Sequence, residues 1–361
     1  MLEGFRSWNT ALPLLAAVMA VAGFDGKHIS ATEGYRVVLE SKQRARPAII
    51  IADLAYYSDD SVALLMLLRS GAIDVKAVIT TAGNVCARQS GKDTHRLLQA
   101  VGAGSLPVIE GPLMVWHEAR RRYYQNVEKP SWKKHAYAGA LETALECGTE
   151  AGISASDTRA ADFLIDTAKD RTGELVVVLQ GPATVLGQAL KKEPKLPTLL
   201  AHIYAMGGSL EVPGNVTKAA EFNVWFDPEA MSDLVHSGAA MTLVPLDATN
   251  AVTFGDISRV TLKGRGSAAE YLGEYLDYRR SRSGKARMWD EVLAAVVIDP
   301  SIVQQSQRRP LAVSTRADPT YGKLSVAPGD SAALQMPIEI ITKVRAAQVR
   351  AMVPDLLVGK R

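Results

Sequence analysis

The sequence predicts a single α/β domain built on a mainly parallel, Rossmann-like central sheet flanked by helices. Three observations carry that expectation. Strand-like and helix-like segments alternate from Ala48 onward. The strand segments, Ile49-Ile50-Ile51 first among them, are unbroken apolar runs, as strands covered on both faces are. No Pro/Gly/Ser-rich stretch after Ala48 is long enough to separate two domains. The chain has 361 residues, of which 47% are hydrophobic and 22% charged, enough for one large core and ordinary for a globular enzyme. A net charge of +3 is too small to argue for a nucleic-acid partner.

The elements follow in order. Residues 1–31 read as a signal peptide and leader, because Arg6 precedes an uncharged run from Ala11 to Phe24 in which Ala20-Val21-Ala22 forms an A-x-A cleavage site before Gly23. That run is too short for a membrane span, so the expected location is secreted or periplasmic, with no stable membrane insertion after processing. Polar residues 32–46 read as a linker, and residues 47–361 as the folded domain. Expected strands are Pro47–Asp53, Val75–Thr80, Leu106–Ile109, Glu174–Gln180, His202–Met206 and Met241–Leu246, with helices near Asp60–Arg69, Ser90–Val101, Thr158–Lys169, Ala183–Lys191 and Pro228–Ser237. Trp116 to Tyr137 reads as a long loop or irregular helix. Cys86 and Cys147 are the two cysteines, an even number compatible with an oxidising compartment; the sequence leaves their pairing open.

The chemistry gathers at the strand tips. The first apolar run ends in Asp53, and Ser58, Asp59 and Asp60 open the next helix, which Gly71 ends. One acid at a helix start is an N-cap. Three acids where a strand meets a helix repel one another unless a cation neutralises them, in the usual ligand crevice of an α/β sheet. Later tips carry Gly83-Asn84, Gly181-Pro182, Gly207-Gly208 with Asn215, Glu221 and Asn223, and Asp247-Ala248-Thr249-Asn250. Singly these are turn residues. Together they present donors and acceptors suited to a polyhydroxylated ligand such as a sugar.

In order and spacing, the Asp53…Asp59-Asp60 motif, Met206-Gly207-Gly208, Gly214-Asn215-Val216, Ala220-Glu221-Phe222-Asn223, Asp227-Pro228-Glu229-Ala230, Leu246–Asn250 and Met288-Trp289-Asp290 resemble the inosine–uridine-type nucleoside hydrolase family over roughly residues 47–355. The resemblance implies the nucleoside hydrolase fold and Ca²⁺-dependent cleavage of the N-glycosidic bond of a small nucleoside substrate. By similarity, Asp53, Asp60 and Asp290 and the backbone carbonyl of Gln180 would be metal ligands, an all-oxygen set that suits Ca²⁺. Asp53 would also deprotonate the attacking water. Asp59, Asn84, Asn215, Glu221 and Asn223 would hold the ribose.

Trp289 stands where the pyrimidine-accepting branch has a proton-donating His, and no His lies within fifty residues before Asp290. That resembles the purine-specific branch, in which Trp289 and Trp116 would stack on the base, although Phe222 stands where that branch has Trp. The bulky Tyr56-Tyr57-Ser58 between the acids and Val185 after the Gly-Pro turn are further departures. The competing reading is an inactive member of the fold that binds nucleosides or ribose; three retained acids favour the enzyme. Oligomeric state stays open.

Overall fold

Eight strands form one sheet in the order β3-β2-β1-β4-β5-β6-β10-β7 in the computed structural model, which describes residues 45–112, 122, 158–255, 262–283, 287–328 and 336–358. They are β1 Arg46–Ala52, β2 Ile73–Thr80, β3 Val108–Glu110, β4 Val176–Leu179, β5 His202–Met206, β6 Met241–Val244, β7 Val303–Arg309 and β10 Ile338–Val344; β8 Leu311–Val313 and β9 Leu324–Val326 form a separate antiparallel hairpin. Every pairing in the large sheet is parallel except β10 with β7. The unit from Arg46 onward is compact in itself. The leader and most of the linker lie outside the described residues, as do Trp116 and Cys147.

Continuous apolar strands give the sheet two buried faces. Ala48, Ile50 and Ala52 of β1 enter one core, while Ile49 and Ile51 enter the other, and all five have no exposure. The first core is closed by α1 Asp59–Ser70, α9 Ser267–Ser283, α10 Asp290–Ile298 and α11 Ala346–Leu357. The second is closed by α3 Arg159–Asp170, α4 Thr184–Lys192 and α7 Pro228–Val235. Helix α1 ends at Gly71, whose φ of 66° is the left-handed conformation that a helix stop favours and glycine adopts without strain. Between β2 and β3 runs α2 Ala87–Ala100; the short helices α5 Leu196–Leu199, α6 Phe222–Phe226 and α8 Leu246–Thr249 complete the first two thirds.

The expected elements are present, with shifted ends. β1 stops one residue before Asp53, β4 before Gln180 and β6 two residues before Leu246, so these groups sit just beyond the strands. Expected Leu106–Ile109 becomes Val108–Glu110, paired with β2. The expectation was silent on the last third, where β10 enters the sheet beside β6 and the polar edge strand β7 pairs beyond it. β2 leaves β1 on one side and β4 adjoins it on the other, so the strand order reverses direction between β1 and β4. A ligand crevice opens at that switch, beyond the strand C-termini.

Candidate active site

Asp53 follows β1 directly, and Asp59 and Asp60 occupy the first turn of α1, where the helix dipole favours carboxylates. Asp290 starts α10, which packs on α1 and brings a residue 230 positions from Asp60 to the same place. Carboxylate oxygens of Asp59, Asp60 and Asp290 all lie within 4.8 Å of one another. Asp53 adjoins them: Asn84 bridges it to Asp60, donating its backbone N–H to Asp53 and its side-chain amide to Asp60. The four acids are between 0% and 7% exposed. Burial is the largest cause that raises each of their pKa values; repulsion from neighbouring acids adds to it at Asp53, Asp60 and Asp290, whereas the Arg279 charge opposes it at Asp59, and Asp53 is pushed up to about 7.

The cluster fits a cation. Asp60 Oδ1, Asp290 Oδ1 and Gln180 Oε1 are buried without a hydrogen-bond partner among the described residues, a costly state that a hard cation with an oxygen shell would relieve. Two glycines crowd Asp53. A Cβ on Gly83 would lie 2.1 Å from its Oδ2, and one on Gly181 would lie 2.6 Å from its Oδ1. The backbone N–H of Asn84 donates to Asp53 Oδ2 at 2.6 Å, and the Asn84 side chain donates to Asp60 Oδ2 at 3.2 Å. The backbone carbonyl of Gln180 accepts from Asn223 Nδ2 at 2.9 Å and retains a second lone pair.

A cavity of about 230 Å³ opens over this cluster, walled by Asp53, Asp59, Asn84, Gln180, Asn215, Glu221, Asn223, Trp289 and Asp290. Sequence reasoning therefore named most of its polar wall. Several of these groups also brace the backbone. Glu221 caps α6: its carboxylate accepts from the N–H groups of Gly208 at 2.7 Å, Asn223 at 2.9 Å and Val224 at 3.3 Å. Burial still raises its pKa despite those bonds. Asn215 Oδ1 accepts from the N–H of Phe222 at 2.9 Å. Asp247 ties down the loop after β5 by accepting from Leu210 N at 2.9 Å and Glu211 N at 2.8 Å.

The aromatic side of the cavity was less legible. Tyr57, Tyr278, Arg279 and Phe222 line it with Trp289. Trp289 donates from Nε1 to Asn250 Oδ1 at 3.3 Å. Tyr57 stacks on Tyr278 at 5.4 Å and on Tyr271 at 5.9 Å, and its hydroxyl donates to Glu274 Oε2 at 2.9 Å. Tyr271 donates to the carbonyl of Tyr56. The loop between Asp53 and Asp59 is thus clamped to α9. Tyr271, Tyr275 and Tyr278, spaced by four and three, were a usable signal for one aromatic helix face, but nothing in the sequence tied that face to the acids. Val185 is fully buried in the second core. Cys86 is disulfide-bonded.

The profile of the inosine-uridine preferring nucleoside hydrolase family matches residues 49–351. The probable uridine nucleosidase 1 of Oryza sativa subsp. japonica is 27% identical over 223 residues, 62% of this chain and 66% of that one. The pyrimidine-specific ribonucleoside hydrolase RihA of Salmonella enteritidis PT4 is 28% identical over 289 residues, 77% of this chain and 87% of that one. Among solved structures, a purine-preferring ribonucleoside hydrolase from Gardnerella vaginalis superposes with a TM-score of 0.68 at 21% identity, covering 87% of this chain and 98% of that one. An inosine-uridine preferring nucleoside hydrolase from Bacillus anthracis superposes with a TM-score of 0.64 at 18% identity, covering 87% and 100%. At such identities the structural likeness speaks for the fold.

Proposed function

The chain belongs to the inosine-uridine preferring nucleoside hydrolase family and is a ribonucleoside N-ribohydrolase; from that premise we propose that it prefers purine nucleosides and works with Ca²⁺. The observation that carries the catalytic reading is the buried acid cluster with orphaned Asp60 Oδ1 and Asp290 Oδ1 beneath a cavity of about 230 Å³. Asp53, Asp60, Asp290 and the Gln180 carbonyl would hold the cation. Bound there, it supplies positive charge that acidifies water and gathers the sugar hydroxyls.

The chain's own groups do the rest. Asp53, pinned by the Asn84 N–H and hemmed in by Gly83 and Gly181, accepts a proton from the attacking water. Asp59, Asn84, Asn215, Glu221 and Asn223 hold the ribose and place C1′ in line with that water. Positive charge then develops on the sugar ring as the C–N bond lengthens, and the surrounding carboxylates favour it. Trp289 supports purine preference, because an indole stacks on a leaving base but has no proton to give near neutral pH. Export to a secreted or periplasmic location is part of the same proposal, supported by the leader pattern and by disulfide-bonded Cys86.

Hydrolysis of inosine, guanosine, adenosine and uridine, each with Ca²⁺ and after chelation, tests the reading. Purine rates well above the uridine rate, abolished by chelation and restored by Ca²⁺, are expected. Equal rates on inosine and uridine would refute the purine preference and leave the family standing. Full activity after chelation would refute the cation.

A further inference from the structure

Breaking an N-glycosidic bond leaves an electron pair on the base nitrogen, and that charge needs a partner until a proton arrives. Among the described residues that line the cavity, Arg279 is the only cationic side chain, and no His or Lys is present. The side chain is held from several directions. Its guanidinium carbon lies 5.6 Å from the centre of the Trp289 ring and 5.9 Å from that of Tyr275. Its charge also acts on Asp59 and Glu291, lowering the pKa of each against the rise caused by burial. Arg279 is half-buried, and its neighbour Tyr278 forms the adjacent wall together with Tyr57. The guanidinium therefore stands beside the indole expected to face the base, in a partly dehydrated cleft where a fixed charge counts for more than in water.

Given the nucleoside hydrolysis proposed above, on which this rests, we propose that Arg279 contacts the leaving base and stabilises the negative charge that forms on it as the C1′–N bond breaks. The water oxygen bonds to C1′ and one water proton passes to Asp53. The C1′–N electron pair goes to the base, which takes a proton from solvent after departure. Arg279 loses no proton, since a guanidinium stays charged throughout. Its donors suit the acceptor beside the glycosidic nitrogen, which is N3 in a purine and O2 in a pyrimidine. Tyr57 is a poorer candidate: its hydroxyl is committed to Glu274, and burial and that carboxylate hold its pKa up.

The experiment compares Arg279→Ala, Arg279→Lys and Arg280→Ala with the wild type on two substrates. One is inosine, whose base is a poor leaving group. The other is p-nitrophenyl β-ribofuranoside, whose phenolate leaves with far less help. Loss of a preorganised donor to a developing anion predicts that kcat on inosine falls about 100-fold in Arg279→Ala. The nitrophenyl riboside should lose under tenfold, and added guanidinium ion should restore part of the inosine rate. Arg279→Lys should retain an intermediate rate, and Arg280→Ala, at an exposed position outside the cavity wall, should stay near wild type. Equal losses on both substrates would mean that Arg279 merely balances Asp59 and Glu291, and would overturn the proposal. So would an inosine loss in Arg280→Ala equal to that in Arg279→Ala. A wild type that hydrolyses the nitrophenyl riboside but no nucleoside would refute the parent reading instead.

Discussion

Gly83→Ala is the sharpest probe of the acid cluster, because it adds one methyl group and removes no polar contact. Its Cβ would stand 2.1 Å from Asp53 Oδ2, 2.6 Å from Cγ and 2.7 Å from Cβ. A carbon and a non-bonded oxygen come no closer than roughly 3 Å, so the carboxylate or the Gly83 backbone must move by about 1 Å. Asp53 has nowhere to retreat. On its other side a Cβ on Gly181 would fall 2.6 Å from Oδ1 and 2.9 Å from the Asp53 backbone nitrogen. Swinging the carboxylate aside also breaks its 2.6 Å bond from Asn84 N–H, a charge-assisted bond that contributes about 1.5–3 kcal/mol. A displacement of that size at a catalytic group costs ~100-fold in rate. Gly83 lies outside the set of positive-φ glycines, so no backbone strain confuses the result. An unclashed Gly→Ala would instead stabilise by about 0.4–1 kcal/mol. The assays are kcat on inosine, calorimetric Ca²⁺ titration and thermal unfolding. Expected are a ~100-fold loss of kcat, weakened Ca²⁺ binding and a lower Tm. A Gly83→Ala enzyme with wild-type kcat, Ca²⁺ affinity and Tm would show that Asp53 is not confined as the structure places it.

The other predictions concern charge, stacking and capping. Burial raises the folded-state pKa of Asp53 from 3.8 to about 7, so the metal-free folded protein holds a proton that the unfolded chain releases near pH 4. Its stability should therefore fall as pH rises through that window, by on the order of 4 kcal/mol for this group, and chelated protein should melt lower at pH 7.5 than at pH 4.5. Ca²⁺ at about 100 times its Kd should add back about 2.7 kcal/mol at pH 7.5, and Asp290→Asn should lose most of that gain; a Tm indifferent to Ca²⁺ would refute the cation site. Trp289→Ala should lower kcat on inosine more than it raises KM, because stacking matters most as the base leaves, and an unchanged kcat would remove the indole from the reaction. Asp227 caps α7 through Ala230 N–H at 3.0 Å and accepts from Thr184 Oγ1 at 2.7 Å while buried. Asp227→Ala should cost about 3 kcal/mol in denaturant unfolding, with kcat of the folded fraction unchanged.

Local pattern was enough for the first two thirds of the fold. Runs such as Ile49-Ile50-Ile51 and Val176-Val177-Val178 declare strands buried on both faces, and Gly71 declares a helix stop, because burial and backbone freedom are written in residue type. The strand tips were legible for the same reason: a carboxylate ending an apolar run has few fates besides a ligand crevice. Periodicity reports that a face is buried and not what buries it. The polar run Val303–Arg309 therefore gave no sign of being β7, since its strand character comes from pairing with β10. The sequence alone showed the acids, the amides and Trp289, and the order in which they come. Only the tertiary structure decided that α10 lies on α1 and sets Asp290 beside Asp60. The same holds for α9, which turns Tyr278 and Arg279 into the cavity. Those groups are brought together by packing between helices far apart in the chain, and no local spacing records that.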